Sequence, residues 1–495
     1  MLREISRIIK HSGTYGLGIV LSKAVGFLMI PVYTHFLAPS DYGTLELLDL
    51  IVFLATNFTA LGIFSAVFRF YAAYEDERDK KEVISTALLF NACASLLVAA
   101  GIMVFATPIA SSIFGDPHFA PLVRIVSLTL FFSNLAEVPL AYWRAQERTT
   151  LFVLVGLLRT ALGATLTVVA VVGFRQGVLG VLYANLLTNA VFGLATSTTV
   201  LFRVPRRVVP LKLKEMLKYG LPLVPWGLNM YVLTFSDRFF LRHFGNLGEV
   251  GVYALGYKMA MVVALLVTGP FALLWQWHQF ELAKQQDAKA LYARIQLYVL
   301  LASVFVALAV ALMARDVVRL ISPPSYWSAS RIVPLIVMCY VLDNVRSVVL
   351  SGVFVQRATH RLIGIAAVVS AATLLLNYLL ISRFLAMGAA VATLLSYSLT
   401  LVLCYLAAQR VYGVQYEYGR NVLTLVAATA IYLVRQWVDL PLVLSVLVNC
   451  TLLALFVLFA IRLLDHDERA MFHRMGIAFA NRMKALVSRA EEPAR

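Results

Sequence analysis

The chain alternates long apolar runs with short polar punctuation along nearly its whole length. A helix that crosses a bilayer needs about 20 apolar residues, and about fourteen runs reach that length. They fall at 12–37, 43–72, 83–106, 121–144, 149–173, 177–202, 215–244, 247–277, 292–314, 331–355, 361–382, 386–409, 420–437 and 441–463. The pattern predicts an all-α integral membrane protein with about fourteen transmembrane helices. Prolines 31, 139, 222, 225, 270 and 334 interrupt several spans. A bundle tolerates this where neighbouring helices satisfy the freed carbonyls, and bends follow.

The runs also repeat. His35-Phe36 and His243-Phe244, Gly43 and Gly251, Asp79 and Asp287, Ile113 and Ile321, Gly180 and Gly388, and Leu186-Leu187 and Leu394-Leu395 each stand 208 residues apart. Arg124-Ile125-Val126 and Arg331-Ile332-Val333 stand 207 apart, and Gln146 and Gln356 stand 210 apart. Tyr15-Gly16-Leu17 and Tyr219-Gly220-Leu221 open the first and seventh spans. One such match is chance in so apolar a chain; their order at a near-constant offset is not. The repeat predicts two six-helix lobes and two additional C-terminal helices. Six is even, so both lobes point the same way, as parallel repeats about an axis along the membrane normal. The expected divisions are an N-terminal lobe 1–202, a basic linker 203–214, a C-terminal lobe 215–409, two helices within 420–463 and a tail 464–495. Secondary transporters built this way hold substrate between the halves and expose it by rocking.

Charge orients the spans. Arg3, Arg7 and Lys10, the linker cations Arg203, Arg206, Arg207, Lys212 and Lys214, then Lys284, Lys289, Arg294, Arg357 and Arg361, and the tail cations all fall on one side. The opposite side is sparse, and Arg315 and Arg319 are its main exceptions. The positive-inside rule places both termini in the cytoplasm. The basic start MLREISRIIKH precedes a long run that contains Lys23, which reads as a retained span and not a signal peptide. Apolar positions from Met471 to Leu486 alternate with basic ones, so the tail is expected to lie on anionic membrane lipid or dock beneath the bundle.

Composition sharpens this picture. The 495 residues are 61% hydrophobic and only 14% charged, against about 25% charged in soluble domains. The net charge of +16 would suggest nucleic acid in a soluble protein. Here topology accounts for it, no basic stretch is interleaved with aromatics in a soluble domain, and no nucleic-acid partner is expected. Cys93, Cys339, Cys404 and Cys450 lack metal-ligand spacing and read as small buried apolar residues.

Ionisable groups inside the spans carry the candidate chemistry, because such groups normally face a bundle interior or a wet cavity. They are Lys23, Glu46, Asp49, Arg69, Glu137, Arg159, Asp237, Arg238, Lys258, Asp343 and Arg346. Glu137 and Arg159 are within possible reach of each other. Asp343 and Arg346, three apart, invite local pairing, and Glu46 and Asp49 share a helix face. Lys23, Arg69, Lys258 and Arg238 are the expected substrate-binding cations of a central cleft, since ammonium and guanidinium groups suit phosphate or pyrophosphate. Asp237, Asp49, Asp343 and Glu137 are the expected coupling or gating groups.

No G-x-x-x-x-G-K-[ST] motif is present, so ATP is not expected to drive the protein directly. No nucleophile set, metal site or cofactor is expected either. Asp465-His466-Asp467 matches a D-x-D metal motif only in letters.

Two helix-pair segments carry a family resemblance: FLMIPVYTHFLAPSDYGTLELL with LGIFSAVFRFYA, and SDRFFLRHFGNLGEVGVYALGYKMA. They resemble the polysaccharide-biosynthesis flippases, the Wzx-like branch of the multidrug/oligosaccharidyl-lipid/polysaccharide exporter superfamily. The family's TR-L-G-P-x-D-Y-G turn falls on Thr34, His35, Leu37, Ala38, Pro39, Asp41, Tyr42 and Gly43, with His35 in place of Arg and Ala38 in place of Gly. Its LG…R-Y pattern falls on Leu61, Gly62, Arg69 and Phe70, with Phe in place of Tyr, and its D-R…G-x-Y pattern on Asp237, Arg238, Gly251 and Tyr253. The resemblance implies a V-shaped pair of lobes around a cationic cavity. It implies translocation of an undecaprenyl-pyrophosphate-linked oligosaccharide to the outer leaflet, alongside other polysaccharide-assembly proteins. A peptidoglycan-precursor flippase or a drug/cation antiporter of the same superfamily is the alternative. A membrane polymerase or ligase fits less well with the short predicted outer loops and the two-half repeat.

Overall fold

The computed structural model describes residues 18, 21–356, 358, 360–438, 440–466 and 468–469. The expected tail helix, the cations Arg3, Arg7, Lys10 and Arg357, the Tyr15-Gly16-Leu17 segment and Asp467 lie outside the described residues.

Among the described residues the chain is helical, without strands. The helices of the first half are α1 (Ile30–Phe36), α2 (Pro39–Ala60), α3 (Ile63–Ala73), α4 (Glu77–Val104), α5 (Ala106–Phe114), α6 (Ala120–Ala145), α7 (Thr149–Val168), α8 (Gly177–Leu201) and α9 (Pro210–Gly220). Those of the second are α10 (Val224–Phe244), α11 (Leu247–Ala260), α12 (Gly269–Leu282), α13 (Ala288–Ile321), α14 (Val333–Val349), α15 (Ser351–Val355), α16 (His360–Val411), α17 (Tyr418–Gln436) and α18 (Leu442–Leu463). Ten helical stretches among the described residues are long and apolar enough to cross a membrane. Many large apolar side chains stand exposed on them, among them Leu97, Val104, Leu375, Val443 and Leu458. A surface of that kind is stable against hydrocarbon and not against water, so the chain is a multi-pass membrane protein.

Local signals set the helix ends. Pro39 opens α2 at its first turn, and the Asp41 carboxylate accepts from the Ala38 N–H at 3.2 Å. Asp76 caps α4 through the Arg78 N–H, and Asn246 caps α11 through the Glu249 N–H. Leu61 and Gly62, both left-handed, separate α2 from α3.

Several expectations are corrected. The span expected from 215 is divided: α9 ends at Gly220, a single 3-10 turn covers Leu221–Leu223, and the α-helix resumes at Val224. Pro222 and Pro225 lack the N–H that a continuous ladder needs. The loop expected over 107–120 holds α5 and a 3-10 turn, Pro117–Phe119, with left-handed Gly115 ending α5. The spans expected at 361–382 and 386–409 form one bent element, α16, turning at Leu385 with φ 48°. Cys339 and Cys404 are buried as expected, but Cys93 and Cys450 are exposed. They sit on outward helix faces beside Leu97 and Leu447, where a small apolar thiol suits lipid as well as a core.

The repeat recurs in the backbone. Leu385 and Gly177, 208 apart, both take positive φ at the turn into the last helix of their half. α2 and α11 begin at Pro39 and Leu247, again 208 apart.

Helices α2, α4, α6 and α8 pack on one another, as do α10, α13, α14 and α16. α17 and α18 attach to α13 through a polar seam: Arg435 donates to Asn449 and Ser445, and Ser445 donates to Asp316. At the end of the molecule that carries Pro39 and Leu247, one apolar cluster spans both halves and includes Tyr42, Leu47, Phe114, Tyr253 and Ile336. At the opposite end, which carries Arg69, the apolar residues form two separate clusters. Ile63, Val83, Trp143 and Met216 belong to one, and Trp275, Tyr292, Val349 and Cys404 to the other. The apolar core is therefore continuous across the halves at the Pro39 end and divided into two clusters at the Arg69 end.

Candidate functional site

The fused end is organised by two glycines. A Cβ on Gly43 would sit 1.9 Å from the Leu247 carbonyl oxygen, and a Cβ on Gly251 would sit 2.0 Å from the Pro39 carbonyl oxygen. No residue but glycine permits so close a backbone crossing. The crossing fixes how the next turns of α2 and α11 face each other and α10.

Those turns carry a charge network that bridges the halves. The Glu46 carboxylate, from α2, stands 3.5 Å from Lys258 Nζ of α11 and 3.8 Å from Arg238 Nε of α10. Arg238 is almost fully buried, its guanidinium 4.4 Å above the Tyr257 ring. Its Nη1 lies 2.8 Å from Asp237 Oδ1 and donates to the Thr234 carbonyl at 2.5 Å. The Asp237 carboxylate accepts further bonds from Tyr253 Oη at 2.5 Å and Thr393 Oγ1 at 3.3 Å. A buried ion pair is tolerated when its remaining lone pairs are satisfied in this way. Lys258 differs: its side chain is 38% exposed, against 2% for Arg238. It stands over the Tyr42 ring at 4.6 Å, so that its ammonium on the second half has Tyr42 and Glu46 of the first half as neighbours. Asp49, one turn beyond Glu46, is exposed, makes no hydrogen bond or ion pair, and lies within Coulombic reach of Glu46 and Lys258.

The sequence-predicted residues separate accordingly. Lys258, Arg238, Asp237 and Asp49 gather around Glu46. Lys23 is exposed on the first span and makes no ion pair among the described residues. Arg69 stands at the opposite end, its guanidinium 4.5 Å over the Tyr219 ring. Asp343 pairs with Arg346 at 2.6 Å, as their spacing invites. Glu137 and Arg159 form no ion pair: Arg159 donates instead to Ser133 and Asn189. Arg238, expected to meet substrate, has no open face in this conformation, because aromatic rings and Asp237 enclose it. Its geometry suits positioning Glu46 and Asp237.

Glu46 was not singled out as a site residue by sequence, although its charge was noted. Its partners arrive from two other helices; the available signal was Gly43 one turn earlier and Asp49 one turn later. Asp465 is engaged by Arg420 at 2.5 Å, and no cluster of metal-ligating side chains occurs among the described residues.

Two helical halves fused at one end, with ionisable side chains at their interface, define a multi-pass membrane protein of two-lobed helical architecture. The family described as polysaccharide biosynthesis protein matches residues 8–274, more than half of the chain, and the chain belongs to that family. It is 23% identical over 270 residues to a protein of the Lsg locus of Haemophilus influenzae, covering 53% of this chain and 63% of that protein. It is 21% identical over 257 residues to the succinoglycan biosynthesis transport protein ExoT of Rhizobium meliloti, covering 52% and 48%. The chain thus spans less than two thirds of the length of these curated relatives. In fold it is similar to the lipid II flippase MurJ in an inward closed conformation, with a TM-score of 0.73 at 12% identity over 92% of this chain and 99% of that one. It is also similar to an inward-facing multidrug resistance transporter of the MATE family, with a TM-score of 0.62 at 16% identity over 78% and 94%.

Proposed function

We propose that the protein flips an undecaprenyl-diphosphate-linked oligosaccharide from the cytoplasmic to the outer leaflet of a bacterial inner membrane, for cell-surface polysaccharide assembly. The observation that carries this reading is Lys258, a partly exposed cation inside the membrane-spanning bundle, at the contact between two halves of a polysaccharide biosynthesis family member. An ammonium held in low dielectric is a strong site for a diphosphate.

In this reading the Pro39 end is the outer end, the Arg69 end is cytoplasmic, and both termini lie in the cytoplasm. Arg69 meets the diphosphate at the open inner mouth, Lys23 guides it along the first span and Lys258 receives it deeper in. The prenyl chain remains in lipid at the seam between the halves. Rocking separates the fused end and releases the glycan outward. Asp237, held by Arg238, Tyr253 and Thr393, is the group placed to couple the return to ion movement; Asp49, Asp343 and Glu137 are secondary candidates. The substrate passes to other polysaccharide-assembly proteins.

The MurJ-like fold supports a second reading, flipping of a lipid-linked peptidoglycan precursor; the family match favours polysaccharide. Deletion of the gene separates them, since the lipid-linked glycan that accumulates on the cytoplasmic leaflet identifies the substrate. In vesicles, Lys258→Ala is expected to slow flipping of a fluorescent lipid-linked glycan by about tenfold or more. Flipping at the parental rate would refute the role given to this lysine.

A further inference from the structure

Lys258 is not free in this conformation. The acceptor beside it is Glu46, which arrives from the other half and reaches both Lys258 and the Arg238 guanidinium. A carboxylate between two cations is the arrangement that a phosphoryl group would otherwise take there. We propose that Glu46 is a resident counter-anion that occupies the substrate's diphosphate position in the empty protein, and that the diphosphate displaces it from Lys258. The proposal rests on the reading of Lys258 as the diphosphate site and assigns that site its trigger.

Displacement has a mechanical result because of where the groups sit. Glu46 is on α2, one turn beyond the Gly43 crossing, whereas Lys258 and Arg238 are on α11 and α10. The two contacts are therefore ties between the halves at their fused end. A diphosphate that satisfies Lys258 in place of Glu46 unties α2 from α11, and the fused end becomes free to part. Without a ligand, the tie holds that end shut and keeps an empty bundle from opening outward. The competition also lowers apparent affinity, because only the fraction of molecules with Lys258 unoccupied is competent to bind.

The test uses the full-length protein in lipid nanodiscs with undecaprenyl diphosphate as the probe. Spin labels go at exposed Ser112 and Ser382, one on each half near the fused end, with the four cysteines replaced by alanine. In the parental protein the probe is expected to lengthen the label distance. Glu46→Gln is expected to lengthen it without probe and to bind probe about tenfold more tightly, as removal of a competitor present in about nine molecules of ten requires. Glu46→Asp keeps a competing anion and is expected to bind as the parent does, which separates competition from loss of folding. If the parent binds probe in a Lys258-dependent manner while Glu46→Gln changes neither affinity nor distance, the displacement is refuted and Lys258 keeps its role. If the parental protein fails to bind probe, or Lys258→Ala binds as the parent does, both readings fall.

Discussion

Arg238 and Asp237 form a buried ion pair whose remaining partners come from other turns and other helices. The ionisable groups inside the spans announced themselves because each interrupts an apolar run, and four of the expected site residues do meet around one carboxylate. Whether a cation is spent on a structural partner or left for a ligand depends on helices far away in the chain. Asp237 and Arg238 are adjacent and read as a gating pair, yet Asp237 is completed by Tyr253 and Thr393 from elsewhere, and Arg238 is roofed by Tyr257. Asp237→Asn removes the nearer counter-charge and leaves the buried guanidinium with Glu46 alone, 3.8 Å away. A loss of about 3–5 kcal/mol is expected, read as a lower unfolding midpoint in detergent. An unfolding midpoint equal to the parent's would mean that Glu46 alone compensates Arg238.

Among elements, α9 behaves least as its composition suggests. Its cations mark the stretch as a basic linker, but Lys212 is buried and ion-paired with Asp79 at 2.7 Å and Glu82 at 2.8 Å, and Arg207 also engages Glu82. Burial alone would lower the Lys212 pKa, but the hydrogen bonds to Asp79 and Glu82 outweigh it and hold the ammonium above the ordinary lysine range. A raised pKa in the folded state stabilises at every pH below the unfolded value, about 10.4, and that contribution is lost as pH rises through the folded value. The docking of α9 is therefore expected to be unaffected between pH 6 and pH 9, as about neutral conditions leave Lys212 charged, and to weaken only in strong alkali. Lys212→Met removes the anchor at all pH values, and faster trypsin cleavage at exposed Lys214 and Lys218 is the expected sign; unchanged cleavage would show that apolar contacts suffice. The bend at Leu385 and the division before α10 were harder to foresee. Hydropathy counts apolar residues and does not register whether a helix stops, turns or resumes, whereas the prolines at 222 and 225 did carry that information.

At the scale of the whole molecule, the duplicated pattern predicted the most and was the least visible locally, since each matched pair is trivial until its spacing is compared with the next. What it could not reveal was which end is fused. That depends on the Gly43–Gly251 crossing and the shared apolar cluster around it. Gly251→Leu inserts a side chain where the Pro39 carbonyl lies 2.0 Å from a Cβ. The label distance between positions 112 and 382 is expected to increase without ligand, and an unchanged distance would mean that the crossing does not hold the end shut. The two glycines occupy the same position in the two copies, and each meets the first residue of the other copy's helix. A contact between equivalent positions can lie only on the axis that relates the copies, and such contacts are self-complementary. The joint therefore has the form of an interface that two identical six-helix units would make across a two-fold axis.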